Sequence, residues 1–417
     1  MDTERPNHYL IGWSLTLPDH AQGCSLSGNL ADLASLLDRF ASGSGRITPR
    51  VRGSRLGADV RAKLEEAVET VEASSDSTLS SDDLLVFGNG CYAVGRHEDA
   101  SRAYLTILKD EPDNSDARFN LGLAYLRLRN PEDAVREFTD LLEQHPLMAE
   151  AFYQRGNGND DLGELNQALA DYSRAIELNP EFVHAMYNRG ILLAQAGRHE
   201  EAVAQFDRVN DIQPDISNTY LNRGASLDEL GLHDEALSSY TRATELNPEN
   251  SLALFNRART NYYLGNLNEA LTDYSEVIQL TPDDAEAFNN RGLTYDALGD
   301  YENAIEDFDA ALILRPSFAE AYSNRGAVLE VVGDLAAALK DYQFSLDADP
   351  ELASAHYNLA RLYSRNGDVA SCLKHIDQVL QIEPQWAEDV AHDEHLKWAL
   401  DMRNLRGDKG EHDNSEG

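Results

Sequence analysis

Apolar residues recur with helical spacing through most of the chain. Between Gly163 and Pro180 they follow the series i, i+1, i+4, i+7 and i+8, as Ala168, Leu169, Tyr172, Ala175 and Ile176. This spacing places them on one face of an α-helix. Met186, Gly190 and Leu193 then mark the apolar stripe of the next helix. The pattern predicts short amphipathic helices that follow one another as pairs.

The pairs repeat with a fixed period that the prolines mark. Nine of the 13 prolines lie 34 residues apart: Pro112, Pro146, Pro180, Pro214, Pro248, Pro282, Pro316, Pro350 and Pro384. With proline at place 32, residues 81–386 divide into nine repeats of 34 places. We refer to repeats 1–9 and to places 1–34 within each repeat. Each repeat is predicted to contain two helices.

Other places carry small or aromatic residues in nearly every repeat. Place 8 is Gly in seven repeats and Ala in two, place 20 is Ala in eight, and place 24 is Tyr or Phe in eight. Small residues let paired helix backbones approach closely, and we expect the aromatic ring to fill the space beside them. Place 15 is Gly in eight repeats, where it supplies the turn between the two helices. Repeat 2 has Arg129 there, followed by Asn130 and Pro131 as the predicted N-cap and first residue of a helix.

The 34-residue period with these columns closely resembles the tetratricopeptide repeat family. The resemblance covers residues 81–386. It implies an all-α fold, a right-handed α-solenoid or superhelix of antiparallel helix pairs. The first helix of each repeat would line a concave groove, and the second helix would form the outer face.

The regions outside the repeats are predicted to extend or cap the stack. Residues 1–80 contain two apolar helical faces, Leu30, Leu33, Leu36, Leu37 and Phe40, then Val60, Leu64, Val68 and Val71. The segment Arg46–Arg55 has four arginines and no acid, and is either a docking arm for the groove or a solvated loop. We expect a capping helix within residues 387–417, reaching to about residue 405, and then a disordered acidic tail.

Charge and composition narrow the classes of partner. The formal net charge is −38, which would repel a phosphate backbone or an anionic membrane surface, so we expect neither nucleic acid binding nor membrane insertion. Three scattered cysteines predict no disulfide framework and no zinc site. No stretch resembles a signal peptide. We therefore expect a soluble, cytoplasmic protein without a metal or cofactor.

An amide stands at place 6 of eight successive repeats, in the predicted first helix. The residues are Asn120, Gln154, Asn188, Asn222, Asn256, Asn290, Asn324 and Asn358. An amide donates and accepts hydrogen bonds, so this ladder could hold the main chain of an extended peptide. It resembles the asparagine ladder of the repeat domain in O-linked N-acetylglucosamine transferases. The alternative is that each amide bonds to the neighbouring helix and fixes repeat geometry.

Aromatic and acidic residues are expected beside the ladder. We assign to the same peptide-binding surface Tyr153, Tyr187, Phe255 and Tyr357 at place 5, and Asp160, Asp228 and Asp296 at place 12. They would suit a peptide with apolar and basic side chains. Packing between repeats and a hydrated acidic surface are the alternatives. Arginine at place 7 of six repeats is predicted to pair with acids on the adjacent helix.

The sequence favours a non-catalytic scaffold or adaptor that binds an extended polypeptide in its groove. It has no nucleophile and base pair, phosphate loop or paired metal ligands. One alternative is a structural subunit that joins a complex through its convex face. A more distant one is an enzyme with an active site in residues 1–80.

Overall fold

The computed structural model describes residues 58–74 and 79–402. Every regular element in these ranges is a helix. The described residues form two compact units, which meet at the boundary between residues 214 and 215 of the sequence: the first contains repeats 1–4 and the second contains repeats 5–9. Each unit is a stack of antiparallel helix pairs, so the all-α solenoid prediction is confirmed. The predicted helical face from Leu30 to Phe40, the segment Arg46–Arg55 and the predicted acidic tail lie outside the described residues.

The helix bounds follow the repeat numbering. After α1 (Ala58–Ser74), the first unit contains α2 (Ser81–Val94), α3 (His97–Asp110), α4 (Ser115–Arg127), α5 (Pro131–Gln144), α6 (Ala149–Asp161), α7 (Leu165–Leu178), α8 (Val183–Gln195) and α9 (His199–Ile212). The second contains α10 (Ser217–Glu229), α11 (His233–Leu246), α12 (Ser251–Tyr263), α13 (Leu267–Leu280), α14 (Ala285–Leu298), α15 (Tyr301–Leu314), α16 (Ala319–Val332), α17 (Leu335–Ala348), α18 (Ala353–Arg365), α19 (Val369–Ile382) and α20 (Ala387–His392). Every first helix begins at place 1 and every second helix at place 17. Residues 394–402 form one more helical segment.

The turn inside each repeat depends on a left-handed residue at place 15. Gly takes this conformation in eight repeats, with φ between 72° and 92°. Arg129 takes it in repeat 2, with φ 59°. There the Asn130 side chain accepts a hydrogen bond from the Asp133 amide, and Pro131 is the first residue of α5. The predicted cap of this helix is confirmed.

Each helix pair is held by an aromatic ring against a glycine. A Cβ atom added to Gly326 would lie 2.7 Å from Cε1 of Tyr342, and one added to Gly190 would lie 2.7 Å from Cε1 of Phe206. Both rings are fully or almost fully buried. The small residue at place 8 therefore makes room for the ring at place 24, and this contact sets the distance between the two helices.

The first helices form the inner layer of each unit. Within each unit, every second helix contacts the first helix of the next repeat, and most first helices of neighbouring repeats also contact one another. We call the face of the first helices that carries places 2, 5, 6, 9, 12 and 13 the inner surface. The second helices carry the outer surface.

Additional helices cover the ends of the repeat array. Leu64 and Val68 of α1 are buried with Leu85 of repeat 1. At the other end Val390 and Leu396 pack against repeat 9. These contacts bury the apolar sides of the terminal repeats, as a solenoid requires.

Candidate functional site

Four of the ladder amides are bonded to the preceding repeat within their own unit. Their Nδ2 atoms donate to an oxygen at place 5 or 9 of that repeat. The bonds are Asn120 to Asn89 at 2.9 Å, Asn188 to Asn157 at 3.0 Å, Asn324 to Asn289 at 2.9 Å and Asn358 to Ser323 at 3.4 Å. Asn120 is also fully buried, so a ligand on the inner surface has no access to it.

The amides of repeats 6 and 7 differ because the preceding repeats offer no acceptor. Before Asn256, places 5 and 9 are Leu221 and Ala225. Before Asn290, they are Phe255 and Arg259. Neither amide side chain has a hydrogen-bond partner among the described residues. Asn256 is only 9% exposed, but its polar atoms are not sealed from solvent.

The two remaining ladder amides have different surroundings. Gln154 is buried, and its Oε1 accepts a hydrogen bond from Asn157 Nδ2 at 3.0 Å. Asn222 is partly exposed. Asn256 and Asn290 thus lie on adjacent first helices of one unit, and neither side chain has a hydrogen-bond partner among the described residues.

The aromatic residues at place 5 pack largely between helices. Tyr153 is 3% exposed, and its ring lies 5.9 Å from that of Tyr172. Tyr187 is also buried, with its ring 6.1 Å from Phe206. The packing alternative therefore describes both tyrosines, and little of either ring remains for a ligand.

The other two place-5 rings are more accessible but also have neighbours. Phe255 is partly exposed and contacts Tyr274 edge to face, with the ring centroids 5.5 Å apart. Tyr357 donates a hydrogen bond to Asp393 at 2.5 Å and contacts Trp386. Tyr357 is thus covered in part by the segment that follows repeat 9.

The acids at place 12 fall into two groups. Asp160 is buried. Asp228 Oδ2 accepts hydrogen bonds from the hydroxyls of Tyr240 at 2.9 Å and Thr260 at 2.8 Å, and its Oδ1 lies 3.0 Å from His233 Nδ1. These two carboxylates belong to the protein interior and to contacts between repeats.

Asp296 is a half-buried carboxylate without a partner. No described residue forms a hydrogen bond or ion pair with it. Burial raises the pKa of its carboxyl above the ordinary value of 3.8. The burial of Tyr262 itself and then the charge of Asp296 raise the pKa of the Tyr262 hydroxyl. Asp296 is therefore desolvated without the compensation that a cation or hydroxyl would give.

One cation of the inner surface lacks a fixed partner as well. Arg259, at place 9 of repeat 6, forms no ion pair within the part of the chain that the structure describes. Its charge lowers the pKa of the buried Tyr240 and Tyr274 hydroxyls, against the stronger upward effect of burial. Arg361, the other positive residue at place 9, lies 3.4 Å from Asp393.

The arginines at place 7 are structural. Four of the six form two-point contacts with an aspartate at place 23 of the same repeat. The pairs are Arg155 with Asp171, Arg257 with Asp273, Arg291 with Asp307 and Arg325 with Asp341, at distances of 2.6 to 2.9 Å. The predicted pairing with an adjacent helix is confirmed for these four. Repeats 4 and 5 have Gln205 and Ser239 at place 23 instead. Arg189 donates a hydrogen bond to Ser173 at 3.0 Å, and Arg223 donates one to Ser239 at 2.6 Å.

Sequence reasoning missed the partly exposed Tyr262 and the exposed Val331. Tyr262 stands at place 12 of repeat 6, and Val331 at place 13 of repeat 8 is 61% exposed. Both interrupt columns that carry acids in other repeats. A comparison of places 12 and 13 across the repeats could have identified these two residues, but it would not have shown how exposed they are.

Two classes of site are not found in the described part of the chain. Its residues hold no cluster of three histidine, cysteine or acidic side chains that could bind a metal ion. Its helices include none with the length and apolar character needed to cross a membrane.

Several tetratricopeptide repeat models match the sequence. Models described as "Tetratricopeptide repeat" match residues 85–149, 121–157, 153–215, 217–250, 285–318 and 332–392, and one described as "TPR repeat" matches residues 258–299. No functionally curated protein matches the chain.

Solved structures of repeat proteins are also similar. YrrB, described as a TPR protein with an unusual peptide-binding site, is 29% identical over 44% of this chain and 95% of its own, with a TM-score of 0.41. MamA is 27% identical over 40% of this chain and 92% of its own, with a TM-score of 0.39. The C-terminal part of a TPR repeat-containing protein from Cytophaga hutchinsonii is 15% identical over 57% of this chain and 98% of its own, with a TM-score of 0.50.

The period, the helix pairs and the matching models lead to one conclusion about identity. The chain belongs to the tetratricopeptide repeat family.

Proposed function

We propose that the protein is an interaction scaffold that binds an extended polypeptide segment on the inner surface of repeats 5–9. The observation that carries the proposal is the pair of free amides, Asn256 and Asn290. Each offers a donor and an acceptor to a ligand, and the two stand at equivalent places of adjacent repeats.

Main-chain recognition fits the chemistry of these amides. An extended peptide presents one N–H and one C=O at each residue, and an asparagine side chain can bond to both. A polar side chain with a low exposed fraction and no partner is costly, because it has lost water contacts without replacing them. A ligand that supplies the missing bonds would recover that free energy.

The surroundings favour a peptide over an anionic polymer. The chain carries a formal charge of −38, and Asp296 and Glu330 lie on the same inner surface as the amides. A nucleic acid would bring its phosphates against this charge. A polypeptide with apolar and basic side chains would meet Phe255 and the acids without repulsion.

The alternative function is a structural subunit that binds through the second helices. Ile313 on α15 is 79% exposed, and Phe344 on α17 is 40% exposed. Large apolar side chains on an outer surface are suited to contact with another protein. A partner bound there would not depend on the inner amides.

The two functions are separated by paired alanine substitutions. A phage-displayed library of random dodecapeptides is selected on the full-length chain, and the enriched peptides are made with a fluorescent label. Binding is measured by anisotropy to the wild type, to Asn256→Ala/Asn290→Ala and to Asn268→Ala/Asn303→Ala. The last variant removes two exposed amides of the second helices.

We expect the inner pair to weaken peptide binding at least about tenfold, with the outer pair unchanged. The inner substitutions should not lower the melting temperature, since these amides bond to no described residue and alanine favours helix. Peptides that bind the inner-pair variant as well as they bind the wild type would contradict the proposal. If the same peptides were lost when Ile313 is replaced by a charged residue, the outer surface would be the binding surface.

A further inference from the structure

We infer that Asp296 receives a lysine or arginine side chain of the bound peptide, beside Tyr262 and Val331. The inference rests on the proposed function, because it assigns one side chain of the segment that Asn256 and Asn290 would hold by its main chain. It predicts a positively charged side chain at the position of the peptide that contacts repeats 6–8.

The first support is that Asp296 lacks the two hydroxyl partners that Asp228 has. Asp228 in repeat 5 bonds to the place-24 hydroxyl of its own repeat and to Thr260 at place 10 of the next repeat. The corresponding positions for Asp296 are Phe308 and Val328. Neither side chain can donate a hydrogen bond.

Glu330 in repeat 8 shows a third partner position. Its carboxylate bonds to Tyr342 at 3.3 Å and forms an ion pair with Arg365, which stands at place 13 of the next repeat. The position equivalent to Arg365 for Asp296 is Val331. Repeats 5 and 8 therefore satisfy this carboxylate internally, whereas repeat 7 leaves it open to a ligand.

The second support is the pair of free amides in repeats 6 and 7. Asn256 is more than nine-tenths buried, has accessible polar atoms and bonds to no described residue. Asn290 stands on the same helix as Asp296, six residues earlier. Six residues span about 9 Å along an α-helix, so one extended segment can reach both Asn290 and Asp296.

The third support is the chemistry of the flanking side chains. Tyr262 lies close enough for the charge of Asp296 to raise its pKa, and Val331 is 61% exposed. Lysine and arginine have long apolar stems with a cation at the end. The stem would pack on Val331 and the ring, while the cation would pair with the carboxylate and contact the ring face.

A basic side chain would also relieve the cost of burying Asp296. Burial raises the pKa of this carboxyl, and no described cation lowers it again. A bound cation would stabilise the ionised form and remove much of that penalty. A neutral or acidic ligand side chain would leave the carboxylate desolvated and unpaired.

The test is a double-mutant cycle between chain and peptide. The peptides enriched on the full-length wild type are aligned, and one is made with its basic residue and again with norleucine at that position. Both are titrated against the wild type, Asp296→Asn and Glu306→Gln. Glu306 is an exposed acid on the second helix of the same repeat and bonds to no described residue, so its substitution matches the change in net charge.

We expect the wild type and Glu306→Gln to prefer the basic peptide at least about tenfold, and Asp296→Asn to lose this preference. If Asp296→Asn kept the preference, or the enriched peptides shared no basic position, the inference would be wrong. The proposed function would still stand if those peptides required Asn256 and Asn290. Peptides insensitive to both amides would overturn the two proposals together.

Discussion

The hydroxyl of Tyr172 donates a hydrogen bond to Asn157 Oδ1 at 2.7 Å, inside one helix pair. The same oxygen accepts a hydrogen bond from Asn188 of the next repeat at 3.0 Å. One asparagine thus connects the aromatic ring that closes its own repeat with the ladder amide of its neighbour. Repeat 1 has the same arrangement, with Tyr104, Asn89 and Asn120.

Replacing Asn157 by leucine should destabilise repeats 3 and 4. The substitution leaves the Tyr172 hydroxyl and the Asn188 amide buried without this acceptor, at a cost of about 1–3 kcal/mol. Repeat 2 contains the apolar version of the pair, Leu123 with Phe138. Tyr172→Phe added to Asn157→Leu should therefore recover part of the loss. Hydrogen exchange of α6 and α7 measures the local free energy of unfolding, and equal exchange in the two variants would contradict this account.

Breaking the ion pair between an arginine at place 7 and its aspartate should reduce stability more than the loss of the Asn157 acceptor does. Asp307→Asn removes the two-point contact with Arg291, whose side chain is 19% exposed, and leaves a largely buried guanidinium without a carboxylate. We expect a loss of about 3 kcal/mol in the local stability of repeat 7, measured by hydrogen exchange of α14 and α15.

Repeat 4 provides the reciprocal test of the arginine pairs. Burial lowers the pKa of Arg189, and Gln205 Oε1 is buried without a hydrogen-bond partner in the described structure. Gln205→Asp would place a carboxylate at the position that pairs with arginine in other repeats. It should slow exchange in α8 and α9, and faster exchange would show that this pairing is not what stabilises the hairpin.

Asp296→Asn should leave the fold as stable or make it more stable. The folded pKa of this carboxyl lies above its ordinary 3.8 because of burial. Ionisation therefore costs stability as pH rises through the unfolded-state value towards the folded one, and the cost remains at higher pH. The melting temperature of the variant should exceed that of the wild type by more at pH 7 than at pH 4. A lower melting temperature at pH 7 would mean that Asp296 has a structural partner.

Repeat 9 should lose stability in mild acid. His356 Nε2 lies 3.1 Å from the Pro350 carbonyl, and its Nδ1 lies 2.8 Å from His375 Nδ1. If His356 donates to the carbonyl, its Nδ1 accepts from His375 Nδ1, which then carries the shared proton. Burial, the charge of His356 and then Lys374 lower the pKa of His375 from 6.5 to about 4.

The lowered pKa of His375 determines the direction in which the stability of repeat 9 changes with pH. In the unfolded chain His375 binds a proton below about pH 6.5, whereas in the folded chain it does so only near pH 4. The free energy of unfolding therefore falls as the pH is lowered between these two values. His375→Gln should flatten this part of the pH profile, measured by hydrogen exchange of α18 and α19. A profile equally steep in the variant would assign the effect to other groups.

The fold could be predicted from the sequence because the residues that determine it recur at the same place in nearly every repeat. Gly326 and Tyr342 are 16 residues apart in one repeat, and their spacing recurs often enough to reveal both the helix pair and its turn. The free amides are a different case. Asn256 and Asn358 look alike in the ladder, but Asn358 follows a serine at place 5 of the preceding repeat and Asn256 follows a leucine. Their difference depends on residues 35 positions earlier and on geometry that the column alone does not contain.

The same reason explains the aromatic and acidic candidates. An aromatic residue at place 5 looks the same in the sequence whether its ring faces solvent or packs between helices. The ring of Tyr153 packs against that of Tyr172. An acid at place 12 is open or bonded according to the side chain at place 24, which is tyrosine beside Asp228 and phenylalanine beside Asp296. Burial and partners of these residues required the structure.

The central claim concerns Asn256 and Asn290, and their side-chain amide signals test it most directly. In the deuterated full-length chain, the Nδ2 resonances of both residues are followed by NMR during titration with an enriched dodecapeptide. Both should shift and show contacts to peptide amide protons, while the fully buried Asn120 stays in place. Signals of Asn256 and Asn290 that do not move at saturation would contradict the claim.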